Sequence, residues 1–173
     1  CIAEIIGDDL NAFIGEARNK KVIPEDLLTP YANTPSFVGS HIHGYDNMLK
    51  GILQYLTADE KRTLKAKEEK EAKINIIPGF DPHIGNIREI KHILDLMGIE
   101  YTVLADNSDS LDSPQTGHYT LYPGGTKLED VKKAVNAQAT ISLQKMSTIK
   151  SLKFIQESWQ QPGFLFYPPM GIR

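Results

Sequence analysis

Two patterns of apolar positions alternate along this chain. The first is helical. Leu10, Phe13, Ile14 and Ala17 fall on one side of a helix that Asp8 or Asp9 is placed to cap, so that side is expected to face inward. Arg18, Lys20 and Lys21 follow at the end where the macrodipole favours cations. Met48, Leu49, Ile52, Leu53 and Leu56 make a second such face. Ile87, Ile90, Ile93, Leu94 and Met97 make a third, within residues 87–97, that Gly98 stops. Helices are also expected over residues 128–135 and 147–160. The second pattern is short and extended: residues 73–78, 100–104, 139–143 and 164–167 read as strands. Beyond residue 73 the two patterns take turns, which predicts a parallel sheet with right-handed crossovers and an α/β fold.

Between the first two helices the pattern lapses. Pro24 and Pro30 bracket an extended piece, residues 27–32, and residues 33–48 then gather small, polar and turn-forming residues. Pro35 biases Thr34 away from helix and pins the backbone at Ser36. Gly39 and Gly44 permit close backbone approach, and Ser40 or Asp46 is placed to cap the helix that follows. Ser36 therefore lies on a turn entering a buried helix, where a hydroxyl can meet a ligand; the alternative is a serine that only caps a turn. Residues 58–73 form a run of mixed charge with almost no apolar positions, expected as a solvated helix tip or linker. A boundary is placed there, with residues 1–72 in one α/β domain and 73–173 in a second.

Composition narrows the class without reaching a chemistry. The 173 residues are 40% hydrophobic and 24% charged, with a net charge of -3, as in soluble globular proteins. No basic excess points to a nucleic-acid partner. No apolar run approaches the roughly 20 residues that cross a bilayer, and no signal-peptide pattern is present. The single cysteine, Cys1, leaves no internal disulfide and fits a reducing compartment, so a cytoplasmic location is expected. A start at Cys1 and an end at Arg173 with no closing helix suggest an internal fragment of a longer protein.

In parallel sheets ligands sit at the carboxyl ends of the strands, here residues 78–86, 105–117 and 123–126. None of these loops carries a dinucleotide or P-loop fingerprint. Pro123-Gly-Gly-Thr126 suits either an anion at a helix start or a plain tight turn. His41 and His43 alternate like strand residues, and no nearby cysteine or carboxylate completes a zinc spacing, so hydrogen-bonded structural histidines are expected. His83 and His92 are isolated, and His118 falls at an expected strand start. Cys1 is open to two readings: a small buried hydrophobe, or a soft ligand to an iron–sulfur cluster whose other ligands lie elsewhere.

Residues 1–14, Cys-Ile-Ala-Glu-Ile-Ile-Gly-Asp-Asp-Leu-Asn-Ala-Phe-Ile, and Thr34-Pro-Ser-Phe-Val-Gly-Ser-His-Ile-His-Gly-Tyr-Asp-Asn-Met48 resemble the beta subunits of nitrogenase molybdenum–iron proteins. Lys73-Ile-Asn-Ile-Ile-Pro-Gly-Phe80, Tyr122-Pro-Gly-Gly-Thr126 and Pro169-Met-Gly-Ile172 look like later blocks of that family, in the same order. The resemblance covers essentially the whole chain. It implies Rossmann-like parallel sheets flanked by helices, the nitrogenase component 1 fold in part. It also implies an eight-iron P-cluster shared with the alpha subunit, in a heterotetramer of two alpha and two beta subunits. Cys1 matches a cluster cysteine of that family, and Ser36 matches a serine that joins the cluster when it is oxidised. A thiolate suits permanent soft ligation, whereas an alkoxide suits hard, oxidised iron.

The iron–molybdenum cofactor that reduces dinitrogen to ammonia belongs, on this resemblance, to the alpha subunit, so no catalytic residue is expected here. The expected role is electron relay from the ATP-driven iron protein. Two departures stand out: the family often carries Val-Thr at Ile42-His43, and a histidine at Asn33. Vanadium and iron-only nitrogenases share the motifs, and cofactor-assembly scaffolds share the fold. On pattern alone a small-ligand module using residues 78–86 also stays open.

Overall fold

The structure is a computed structural model describing residues 9–34, 39–58, 70–110 and 124–167. Helix α1 (Leu10–Asn19) is separated by an extended segment from α2 (His41–Leu56). There follow β1 (Glu71–Ile77), α3 (Ile84–Leu96), β2 (Glu100–Val103), α4 (Leu128–Lys133) with a 3-10 turn (Ala134–Asn136), β3 (Ala137–Ser142), α5 (Lys145–Ser158) and β4 (Gly163–Leu165). The four strands form one sheet in the order β2-β1-β3-β4, every pair parallel. The expected α/β class is the one observed.

β1 is central because its β-branched run suits a position with neighbours on both edges. Ile76 lies level with Val103 on one side and Ile141 on the other. Alternation divides its side chains between the faces. Ile76 packs with Ile87 and Leu94 of α3, with Val103 and with Leu143. Ile77 joins Leu49, Leu53 and Leu56 of α2, Val131 and Val135, and Phe154, Ile155 and Trp159. Each fully buried Leu or Ile contributes about 1.5–3 kcal/mol relative to exposure. Trp159 closes this second core. Its indole N–H donates to Thr57 Oγ1 at 3.1 Å, and Thr57 in turn donates to Leu53 O at 2.7 Å, locking the ends of α2 and α5 together.

The second core has a polar seam. Asp46 does not cap α2; it lies inside that helix, buried, and its carboxylate reaches across to α5. It accepts from Lys150 N at 2.8 Å, Ser151 N at 2.9 Å and Ser151 Oγ at 2.6 Å. Hydrogen bonds to a charged acceptor in a dry setting are the strong kind, about 1.5–3 kcal/mol each before non-additivity. Deeper in, Gln161 Nε2 donates to Ala134 O and Ala137 O, and Asn75 Nδ2 donates to Ala134 O at 2.8 Å. Asn75 Oδ1 is buried without a hydrogen-bond partner among the described residues.

Several boundaries differ from expectation. α3 begins at Ile84, ahead of the expected 87, because the Asp81 carboxylate accepts from His83 N (2.8 Å) and Asn86 Nδ2 (2.8 Å) and organises an earlier start. The strand expected from residue 73 begins at Glu71, so β1 takes in the end of the charge run; residues 59–69 lie outside the described residues. α1 forms and is capped, by Asp9, but no residue of it is buried and Phe13 is 53% exposed. Leu10, Ile14 and Ala17 are only half-buried among the described residues.

Candidate functional site

Cys1 and Ser36, the two expected cluster ligands, lie outside the described residues, as do His118 and residues 111–123. The structure shows the frame on both sides of Ser36. On the upstream side the chain crosses α2 at Gly51, where a Cβ would stand 2.3 Å from Tyr31 O; only glycine admits that crossing. Arg18 ties this segment down, its guanidinium donating to Leu27 O at 3.0 Å and Thr29 Oγ1 at 2.6 Å. Thr29 N donates to the Tyr55 hydroxyl at 3.3 Å. That backbone N–H, with Arg18 nearby, holds the Tyr55 phenol below its usual range.

On the downstream side Ser40 is the N-cap of α2. Its backbone N–H donates to His43 Nδ1 at 3.3 Å, and its Oγ lies 3.2 Å from the same nitrogen. A backbone N–H can only donate, so Nδ1 is the acceptor and the ring proton sits on Nε2. His43 thus takes the part that Glu or Gln plays in a capping box. Gly39 makes room for it, since a Cβ there would come within 3.1 Å of the imidazole. Gly44, expected to matter in the same way, has open space around it.

The two histidines stand in the first turn of a helix and not in a strand, because Ser40 starts α2 immediately before them. His41 meets the Phe80 ring edge-on at 5.1 Å, and Tyr45 meets it at 5.8 Å. Each histidine therefore has a packing or capping partner. Burial, reinforced by the Asp46 charge, pushes the Tyr45 phenol up to about 12. Among the described residues no group of three or more His, Cys, Asp or Glu could hold a metal.

Both flanks of Ser36 open on one groove. Asn33 and Thr34 line it from upstream, Gly39 and Ser40 from downstream, and Asn47, Lys50 and Lys150 complete its wall; its volume is about 1010 Å³. Sequence reasoning named Ser36's turn but missed this wall, because Lys150 arrives from α5, far along the chain. Gly51, an isolated glycine inside a helical run, was the available sign of a close crossing.

Two of the described stretches at the strand ends are held against other parts of the chain. Phe80 N donates to Ser147 Oγ at 3.0 Å, and Gly79 (φ 84°) has Ser147 Oγ 2.6 Å from where a Cβ would be. The loop after β1 therefore lies on the start of α5. After β2, Asp106 pairs with Lys91 at 2.9 Å, and Asp106 N donates to Thr126 Oγ1 at 2.9 Å. Burial pushes the Asp106 carboxyl up, but Ser108 and Lys91 outweigh it and hold the group below its ordinary range.

Comparison with known proteins matches the whole chain. Residues 1–173 fit the family described as Nitrogenase component 1 type Oxidoreductase. The chain is 53% identical over 173 residues to a nitrogenase molybdenum-iron protein beta chain of Nostoc sp. and 49% identical to that of Rippkaea orientalis. It is 51% identical over 170 residues to that of Bradyrhizobium diazoefficiens. Each match takes in 97% or more of this chain but 33% of the relative, so the chain spans about a third of their length. A solved structure titled "Nitrogenase Cp1 at pH 6.5" superposes with a TM-score of 0.82 at 38% identity, covering 98% of this chain and 35% of that one.

Proposed function

The chain belongs to the nitrogenase component 1 type oxidoreductase family, and on that footing we propose that it is part of a beta subunit that helps to hold a P-cluster at the interface with an alpha subunit. The observation that carries the proposal is the whole-chain match, at about half identity, to molybdenum-iron protein beta chains. Those names also favour the molybdenum version over vanadium or iron-only relatives.

Cys1 supplies a thiolate and Ser36 a hydroxyl. The donor chemistry fits an iron–sulfur cluster in part, since one soft and one hard ligand cannot enclose eight irons and the rest must come from outside residues 1–173. When bound, the cluster supplies electron storage between the iron protein and the alpha-subunit cofactor, in a cytoplasmic assembly that reduces dinitrogen. The chain's own residues prepare the place. Gly51 and Arg18 fix the approach to Ser36, and the Ser40–His43 cap fixes the departure from it.

Cys1→Ala in the full-length protein tests this. We expect lower iron content and loss of the P-cluster's spectroscopic signature while the polypeptide still folds. Unchanged iron and an unchanged signal would overturn the assignment.

A further inference from the structure

The cap at the start of α2 is built around a titratable ring. In a capping box the third helical residue returns a side-chain acceptor to the N-cap backbone N–H, and Glu or Gln ordinarily fills that place. Here the acceptor is His43 Nδ1, 3.3 Å from Ser40 N. A Gln amide oxygen accepts at any pH, whereas an imidazole has one acceptor nitrogen when neutral and none when protonated. A proton on Nδ1 therefore removes the acceptor that the structure gives to Ser40 N–H. Ser40 Oγ, 3.2 Å from the same nitrogen, can accept from the protonated ring. That bond keeps the side chain in place and leaves the backbone N–H unpaired.

The surroundings add to the effect. His43 lines the groove together with His41, Lys50 and Tyr55 of α2, Tyr31 of the extended segment and Lys150 of α5. No carboxylate lines it among the described residues, and Asp46, the one acid of α2, is turned away and buried against α5. An imidazolium there would meet two ammonium groups and the positive end of the helix dipole, with no described anion to offset them.

We propose that α2 starts on a proton-sensitive latch: with His43 neutral the first turn is capped, and protonation at Nδ1 uncaps it. The cap is present at neutral pH and is lost as the pH falls, because the neutral ring alone can accept from Ser40 N–H. Ser36 lies four residues before Ser40, so the latch acts where the chain leaves the proposed cluster ligand. That regulatory consequence rests on the P-cluster reading; the latch itself does not.

Hydrogen–deuterium exchange on the intact full-length protein in its natural assembly tests the latch. The peptide spanning residues 39–44 is followed by mass spectrometry between about pH 5.5 and 8, against the intrinsic exchange rate at each pH. The wild-type peptide should lose protection about fivefold as the pH falls, the size of one lost cap. His43→Gln keeps an acceptor at every pH and should stay protected throughout. His43→Ala should match the acid form of the wild type at every pH. Wild-type protection that does not change with pH would overturn the proposal. So would an acid loss that survives in His43→Gln, which would assign it to His41 or another group. Iron content of Cys1→Ala reports on cluster ligation separately, so the latch and the P-cluster reading can fail independently.

Discussion

Helices α1 and α2 carry the same kind of signal and meet different fates. Both have apolar residues at helical spacing, and both begin at an N-cap, Asp9 for one and Ser40 for the other. α2 buries Leu49, Leu53 and Leu56 against the sheet and α5, whereas α1 buries nothing. What holds α1 is polar: the Asp9 carboxylate accepts from Asn11 N at 2.9 Å, and Arg18 reaches the extended segment. Periodicity declares that a helix has a face to cover. It does not say whether the cover is supplied by the same residues that declare it.

The largest effect should come from breaking α2's side of the comparison. Leu53→Ala removes a side chain that is 1% exposed from the middle of the second core, and should cost about 2–5 kcal/mol in denaturant unfolding. A loss below about 1 kcal/mol would mean that α2 is no better packed than α1.

A middle-sized effect should appear in alkali, on α2 and not on α1, which has no tyrosine. Tyr45's folded value near 12 lies above that of an unfolded tyrosine, so the folded state keeps its proton where the unfolded state has lost it. The stabilisation is complete below about pH 10 and declines as pH rises toward about 12, by something on the order of 2 kcal/mol. Tyr45→Phe should remove that part of the slope. Identical alkaline profiles for the two proteins would mean that Tyr45 is solvated and its helix loosely seated.

The smallest effect should be on α1. Phe13→Ser alters an exposed side chain and should change the stability of the chain by no more than about 0.5 kcal/mol. A loss above about 1 kcal/mol in the full-length protein would reveal a surface covering α1 and erase the difference between the helices.

Much of the α/β order was legible because each element after residue 70 satisfies its own periodicity locally. β1, β2, β3 and β4 all fall within a few residues of the expected strands. Cys1 and Ser36, which lie outside the described residues, were named as ligands by resemblance, and the groove beside Ser36 left little sign in the sequence. Its frame depends on contacts far apart in the chain, such as Gly51 beneath Tyr31, Asp46 against Ser151, and Lys150 beside Asn47. None of these leaves a periodic trace. Asp46 shows the ambiguity best: next to a helix start an aspartate reads as a cap, and only the arrival of α5 makes it a tether. The histidine pair misled for a related reason, since two residues in the first turn of a helix alternate just as two residues of a strand do.

The strand order also sets a timetable for synthesis. β1 can pair with β2 once α3 has been made, closing a short loop, but its other edge waits for β3. Until residue 142 has left the ribosome, the Ile74–Ile77 ridge presents open backbone donors and acceptors on one side, an invitation to intermolecular strand pairing. At roughly 5–20 residues per second that exposure lasts several seconds. The charged residues Glu71 and Lys73 at the head of the same strand are placed to discourage misjoined pairs during the wait.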